Sequence, residues 1–178
     1  MMYRIRFIWV IAKSLLSRKR GLMEDFKLQF IAVPFLDTDV MLLFTQTYSQ
    51  YMGLARWNFM FNSEFKSFAL KKSWTPVTTA ETMTYFKSVK AFNKVDLITN
   101  LVHWNEHRFY LKHEFYVKGK LCGRTYVAGL VKSPKGHLKP NEVFKTLGVT
   151  VDSPPLPEEI KGWVEGHELS RKKPSSKA

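Results

Sequence analysis

Cysteine is almost missing from this chain: Cys122 is the one thiol in 178 residues. No internal disulfide can form, which points to a reducing compartment. Cys122 lies in an apolar strand pattern and reads as a packed core thiol. Long apolar runs are missing as well. The uninterrupted stretch Phe7–Ala12 falls far short of the roughly 20 residues that cross a bilayer. Histidine is absent from residues 21–102, and no carboxylate lies between Asp39 and Glu64. No Ser–His–Asp order stands out, and "GKLCGR" and "SPKG" lack the spacing of a phosphate-binding loop. Acids are missing from both ends. Residues 1–20 carry Arg4, Arg6, Lys13, Arg18, Lys19 and Arg20, and residues 170–178 carry Arg171, Lys172, Lys173 and Lys177, with no acid in either. The net charge of +13 therefore sits mostly in these ends, because 18 basic and 15 acidic residues lie between them. A groove-reading domain would carry its basic stripe on the folded body, so an independent nucleic-acid-binding protein is disfavoured. Basic ends suit an anionic membrane surface, an acidic partner, RNA inside a large assembly, or a targeting sequence.

What is present fits one compact domain with appendages. In residues 3–20, Ile5, Ile8, Trp9, Ala12, Leu15 and Leu16 recur at helical spacing, with Arg6, Lys13, Ser17 and Arg20 on another side. Three readings of this helix stay open: packing on the domain or a partner, lying on a membrane surface, or serving as a mitochondrial import signal. A strand is expected at 26–35, then the loop "LDTDVMLLF", then a long helix in which Tyr48, Met52, Ala55 and Phe59 keep the period. "FNSEFKSFALKKSW" reads as a second helical segment, with Asn62 or Ser63 as its N-cap. Strands are expected over 77–89, 95–104, 108–117 and 121–132, with hairpin turns at "NEH" and at Gly119. A short helix at 139–148 stops at Gly148, and another begins near Pro157. The expected divisions are a basic N-terminal helix (1–21), a sheet-and-helix domain (22–137), a helical extension (138–169) and a basic disordered-type tail (170–178).

One strand, one long helix and four antiparallel strands form an α+β set. A twisted antiparallel sheet can wrap around a single helix and leave its outer face for solvent or a second copy. This is the hotdog fold. Specific motifs agree. "PFLDTDV" followed by "LARW", then "KKSWTPV", "VHWNEHRFYLKHEF" and "SPPLPEEIKGW" together resemble the thioesterase-like branch of the hotdog superfamily, of the 4-hydroxybenzoyl-CoA and acyl-CoA thioesterase type. THEM-type proteins and their bacterial relatives are the nearer likeness. The resemblance spans residues 3–168 and implies chemistry at the loop before the central helix. There, free backbone N–H groups polarise a thioester carbonyl and a carboxylate activates water or attacks.

The family loop reads close to Asp-x-Asp-x-Asn-x-His-Met-Asn-Asn-x-x-Tyr. Asp37, Asp39 and Tyr48 match it, whereas "MLLFTQT" stands where the His and Asn residues belong. Tyr51 and Gly53 occupy helix positions where the family carries an acid. The resemblance thus offers Asp39 as catalytic base or nucleophile, Thr45, Gln46 and Thr47 as the substrate and oxyanion loop, and Leu43, Phe44 and Tyr48 as acyl-pocket walls. Apolar replacements cannot orient a thioester, so the favoured expectation is a degenerate site. The protein would then be a non-catalytic binding or structural subunit of a larger, mitochondrial assembly. The alternative is an active acyl-CoA thioesterase. Expected partners are a second hotdog subunit through the sheet, an acyl-CoA ligand, and a large complex, anionic membrane or RNA through residues 1–20 and 170–178. The expected location is intracellular, in a mitochondrion or at a membrane. No cofactor is expected. His103, His107 and His113 surround one hairpin with Glu106, but strand alternation sets them apart as metal ligands.

Overall fold

A computed structural model describes residues 2–17, 19–66 and 74–171. Within them the chain runs α1 (Met2–Leu16), β1 (Phe26–Ile31), α2 (Thr45–Asn62), β2 (Thr75–Tyr85), β3 (Lys94–Trp104), β4 (Phe109–Val117), β5 (Lys120–Ser133), β6 (Gly136–Leu138), α3 (Pro140–Leu147) and α4 (Lys161–Arg171), the last preceded by a 3-10 turn at Glu158–Ile160. The second helical segment expected after α2 falls largely on residues 67–73, outside the described residues, as do tail residues 172–178. Ser63 ends α2, and its hydroxyl accepts the N–H of Phe65.

The described strands form one antiparallel sheet in the order β1-β3-β4-β5-β2, with β6 added to β5. The chain leaves β1 at one edge and returns as β2 at the opposite edge, and α2 makes that crossing. Alternation decides what faces the helix. Val95, Leu97, Thr99 and Leu101 of β3 point inward. A bulge between Leu101 and His103 shifts the phase, so Trp104 also turns inward. His113 and Phe115 of β4 are completely buried, with His113 opposite both Thr99 and Thr125. This face packs on Tyr51, Met52, Leu54 and Ala55 of α2. The result is the α+β hotdog fold, with α2 as the enclosed helix.

α2 is apolar on more than one side because a second helix covers it. Phe7 of α1 meets Trp57 edge-on at 5.4 Å, and Asn62 donates to the hydroxyl of buried Ser14 at 3.1 Å. With Arg6 near Tyr51 and Ser14 near Asn62, α1 and α2 run in the same direction.

The outer face of the sheet is partly closed by the C-terminal segment. Tyr110, Tyr126 and Ala128 pack there beneath Ile160 and Val164. Glu159 reaches back to the hydroxyl of Tyr126 and, at 3.1 Å, to Arg124, while Glu168 pairs with buried Arg108. The Pro-rich stretch docks through backbone and side chain: the carbonyl of Pro154 lies 2.7 Å from Nδ1 of His103, and the Ser153 hydroxyl accepts the N–H of Trp104.

Candidate functional site

The loop between β1 and α2 is organised by Asp37, which is 1% exposed. Arg6 of α1 grips its carboxylate with both terminal nitrogens, at 2.6 and 2.8 Å. The N–H of Val33 (2.9 Å) and the hydroxyl of Tyr51 (3.0 Å) donate to the same group. The Asp37 carbonyl takes the N–H of Phe44 and the hydroxyl of Thr47, both at 3.0 Å. Burial works against the Arg6 charge, but the hydrogen bond to Asp37 overrides it and holds that guanidinium above its ordinary pKa. Burial also pushes the Tyr51 phenol up, so it stays a donor at neutral pH. Tyr51 is sandwiched further, with the Arg6 guanidinium 5.0 Å from its ring centre and the Phe30 ring stacked on it.

Asp39 stands in a different setting. It is exposed, and its Oδ1 accepts the N–H groups of Met41 (3.2 Å) and Leu42 (3.0 Å). Its own N–H donates to the Leu42 carbonyl, closing a tight turn with Val40 and Met41 at the tip. This turn is stitched to residues 89–91: Leu43 N–H reaches the Val89 carbonyl, and Ala91 N–H reaches that of Met41.

α2 opens directly after this turn. Its N-cap is Phe44, which has no side-chain acceptor for the first N–H groups, and its first turn holds no acid. Beside this helix start lies a cleft of about 170 Å³ lined by Leu42, Leu43, Thr45, Tyr48, Tyr85, Lys87, Ser88 and Val89. The structure therefore gathers Leu43, Thr45 and Tyr48 at one cleft. Phe44 and Gln46 are exposed beside it, and Thr47 is buried with its hydroxyl engaged by Asp37. The Tyr48 phenol is pushed up to about 12, chiefly by burial.

Two other features lie away from the loop. A larger cavity of about 240 Å³ sits between the second half of α2 and the sheet, walled by apolar groups such as Phe59, Leu101, Leu111 and Val127, with Arg56 on its lining. His113 is buried with Nδ1 2.8 Å from the Thr99 hydroxyl, whereas His103 is tied to the Pro154 carbonyl and His107 is exposed. Among the described residues no three His, Cys, Asp or Glu side chains group as a metal site.

Residues 33–164 match the thioesterase-like superfamily. The chain belongs to that superfamily. Relatives of the superfamily extend the likeness. Protein THEM6 of Drosophila melanogaster is 24% identical over 174 residues, covering 96% of this chain and 89% of that protein. Among solved structures, a probable thioesterase from Escherichia coli, YbaW, superposes with a TM-score of 0.62 at 15% identity, over 68% of this chain and 95% of its own. The DHNA-CoA thioesterase of Staphylococcus aureus does so with a TM-score of 0.58 at 15% identity, over 82% of this chain and 94% of its own. These two share the superfamily fold with it.

Within that frame, the constellation that pattern reasoning missed is Arg6–Asp37–Tyr51. A partial signal was available. Tyr51 stands where a helix acid was expected, and Arg6 is one of three cations on an acid-free helix. Nothing in the spacing, however, joins residues 31 positions apart.

Proposed function

We propose that this chain is a thioesterase-like hotdog module whose loop has been closed, and that it serves as a binding or structural subunit and not as a hydrolase. One observation carries the reading: both loop carboxylates are engaged in holding the loop together. Asp37 is locked by Arg6 and Tyr51, and Asp39 accepts two N–H groups of its own turn. A general base needs a lone pair directed at water beside the thioester, and Asp39, though it holds its turn through Oδ1 alone, is not among the side chains lining the cleft at the start of α2. The positions that would carry a second acid hold Gly53 and Tyr51, the latter with its hydroxyl bound to Asp37. The apolar tip Val40–Leu42 adds no donor to orient a substrate.

A second reading draws on the uncapped start of α2 and the cleft beside it, which would suit the carbonyl of an acyl-CoA thioester. In it, Asp39 is base or nucleophile, and Gln46 with the backbone of Thr45–Thr47 polarises the carbonyl. Self-association through the edge of β2, which pairs with no further strand among the described residues, is compatible with both readings. So is residence in a larger assembly, mitochondrial or otherwise, held by the basic ends.

Acyl-CoA hydrolysis by purified protein, across a series of chain lengths, separates the two. The expected result is a rate indistinguishable from buffer at every length, unchanged by Asp39→Ala. Hydrolysis that Asp39→Ala lowers by about 100-fold or more, the usual scale for removing a general base, would establish the second reading instead.

A further inference from the structure

Strand register places four segments at one end of the molecule. β1 ends with Ile31 opposite Lys94, where β3 starts. Val117 lies opposite Val95 and Lys120, so the β4–β5 turn is at the same end. Tyr85 at the end of β2 pairs with Gly123 just beyond that turn. The start of α2 is held there by Leu43 N–H on Val89, and the start of α1 by Arg6 on Asp37.

Large apolar side chains project from this end. Phe35 is 83% exposed, Val40 75% and Phe92 74%, with Leu36, Met41 and Phe44 also exposed. Ile5, Ile8 and Trp9 add an exposed apolar face on the first half of α1. Phe35 and Phe92 both hold positive φ, 61° and 63°, a conformation costly for aromatic residues. Aromatic rings kept outward on strained backbone are not filling a core. Around them stand the exposed cations Arg4, Lys87, Lys90, Lys94, Lys118 and Lys120. In segments 2–9, 31–44, 85–94 and 117–121 the acids are Asp37, neutralised by Arg6, and Asp39.

We infer that this end is a docking face for an anionic lipid bilayer, with the loop tips inserted and the lysines among the headgroups. Projecting apolar tips ringed by cations match a soft, negatively charged interface, which accepts any contour. A second copy is a poorer occupant, because two such ends would oppose cation to cation. Among the described residues no helix is long and apolar enough to cross a membrane, and α1, which runs beside α2 away from this end, meets the interface with its first turns. The inference holds whether or not the loop hydrolyses thioesters.

Vesicle flotation tests it. The full chain is expected to float with phosphatidylcholine–phosphatidylserine vesicles, less with phosphatidylcholine alone, and less in high salt. Phe35→Asn with Phe92→Asn keeps residues that accept positive φ and is expected to weaken partitioning by about tenfold or more. Replacing Lys87, Lys90 and Lys94 with Gln, which leaves the buried groups untouched, is expected to cost about fivefold per charge. Substituting Lys172, Lys173 and Lys177 with Gln is expected to leave at least half of the binding. The inference is overturned by absence of flotation, by binding indifferent to both loop variants, or by binding lost only with the tail lysines. A dimer in sedimentation that Phe35→Asn and Phe92→Asn dissolve, without flotation, would assign the face to a second copy.

Discussion

Asp37→Ala is expected to destabilise the fold by about 3 kcal/mol, the lower end of the range for breaking a buried charged pair. The substitution strands three donors at once: the Arg6 guanidinium, the Tyr51 hydroxyl and the Val33 N–H. Each lost its water on folding and would have no acceptor in its place. Arg6 retains 20% exposure, so it can turn partly to solvent, which keeps the cost from rising further. Asp37→Asn keeps an acceptor oxygen but removes the charge, and should cost about half as much. Urea unfolding of the single variants, of Arg6→Met and of the double variant completes a cycle. A coupling of about 1–3 kcal/mol is expected for groups in direct contact. A coupling near zero would mean that α1 is held by its apolar contacts and the Asn62–Ser14 hydrogen bond. Because Arg6 is the polar tie between α1 and the loop, Asp37→Ala should also make α1 more susceptible to limited proteolysis at Lys13.

The second large effect is a pH dependence traced to His113. Burial first, and the nearby Arg56 charge second, hold its pKa well below the ordinary 6.5. The folded protein therefore keeps the imidazole neutral, whereas the unfolded chain protonates near 6.5. As pH falls below that value the unfolded state binds the extra proton, and stability declines until the folded value is reached. The stabilisation is fully present above the unfolded pKa. Between pH 7 and pH 5 stability is expected to fall, by at most about 2 kcal/mol from this one group. Urea midpoints at the two pH values should show it, and His113→Gln should flatten the dependence by that amount while lowering stability at pH 7. Equal slopes for both proteins would show that another group titrates. Glu114 and Asp96 do not compete in this window. Their cations hold both carboxyls below their ordinary values, despite the burial that opposes this at Glu114, and such groups act only at lower pH.

These two effects also mark where pattern reading stops. Alternation along β3 and β4 predicts which strand face is apolar, and His113 falls on that face with Phe115. Its burial is legible in this sense, but its neighbours are not. Thr99 and Thr125 meet it only because three strands are in a given register. The bulge after Leu101 was invisible to alternation, and it is what moves Trp104 into the core and His103 to the Pro154 carbonyl. At the loop, the motif marked Asp37 and Asp39 together, and Asp39 drew attention through the resemblance. Side-chain surroundings separate them: one is buried under Arg6, the other is exposed and accepts its own turn's N–H groups.

By itself the sequence determined the central helix, the five longer strands and their order, the hairpins and the loop before that helix, while the strand expected at 26–35 ends at Ile31 and β6 was not expected. These follow from local periodicity, turn residues and caps, which are properties of neighbouring residues. The tertiary structure decided the rest. It joined Arg6 to Asp37 and Tyr51, closed the outer sheet face with the C-terminal segment, and brought the apolar tips of residues 35–44 and 92 together with the lysines of segments 85–94 and 117–121. Those contacts depend on where the chain goes between elements, and on which charge loses least by leaving water. No spacing rule along the chain encodes either.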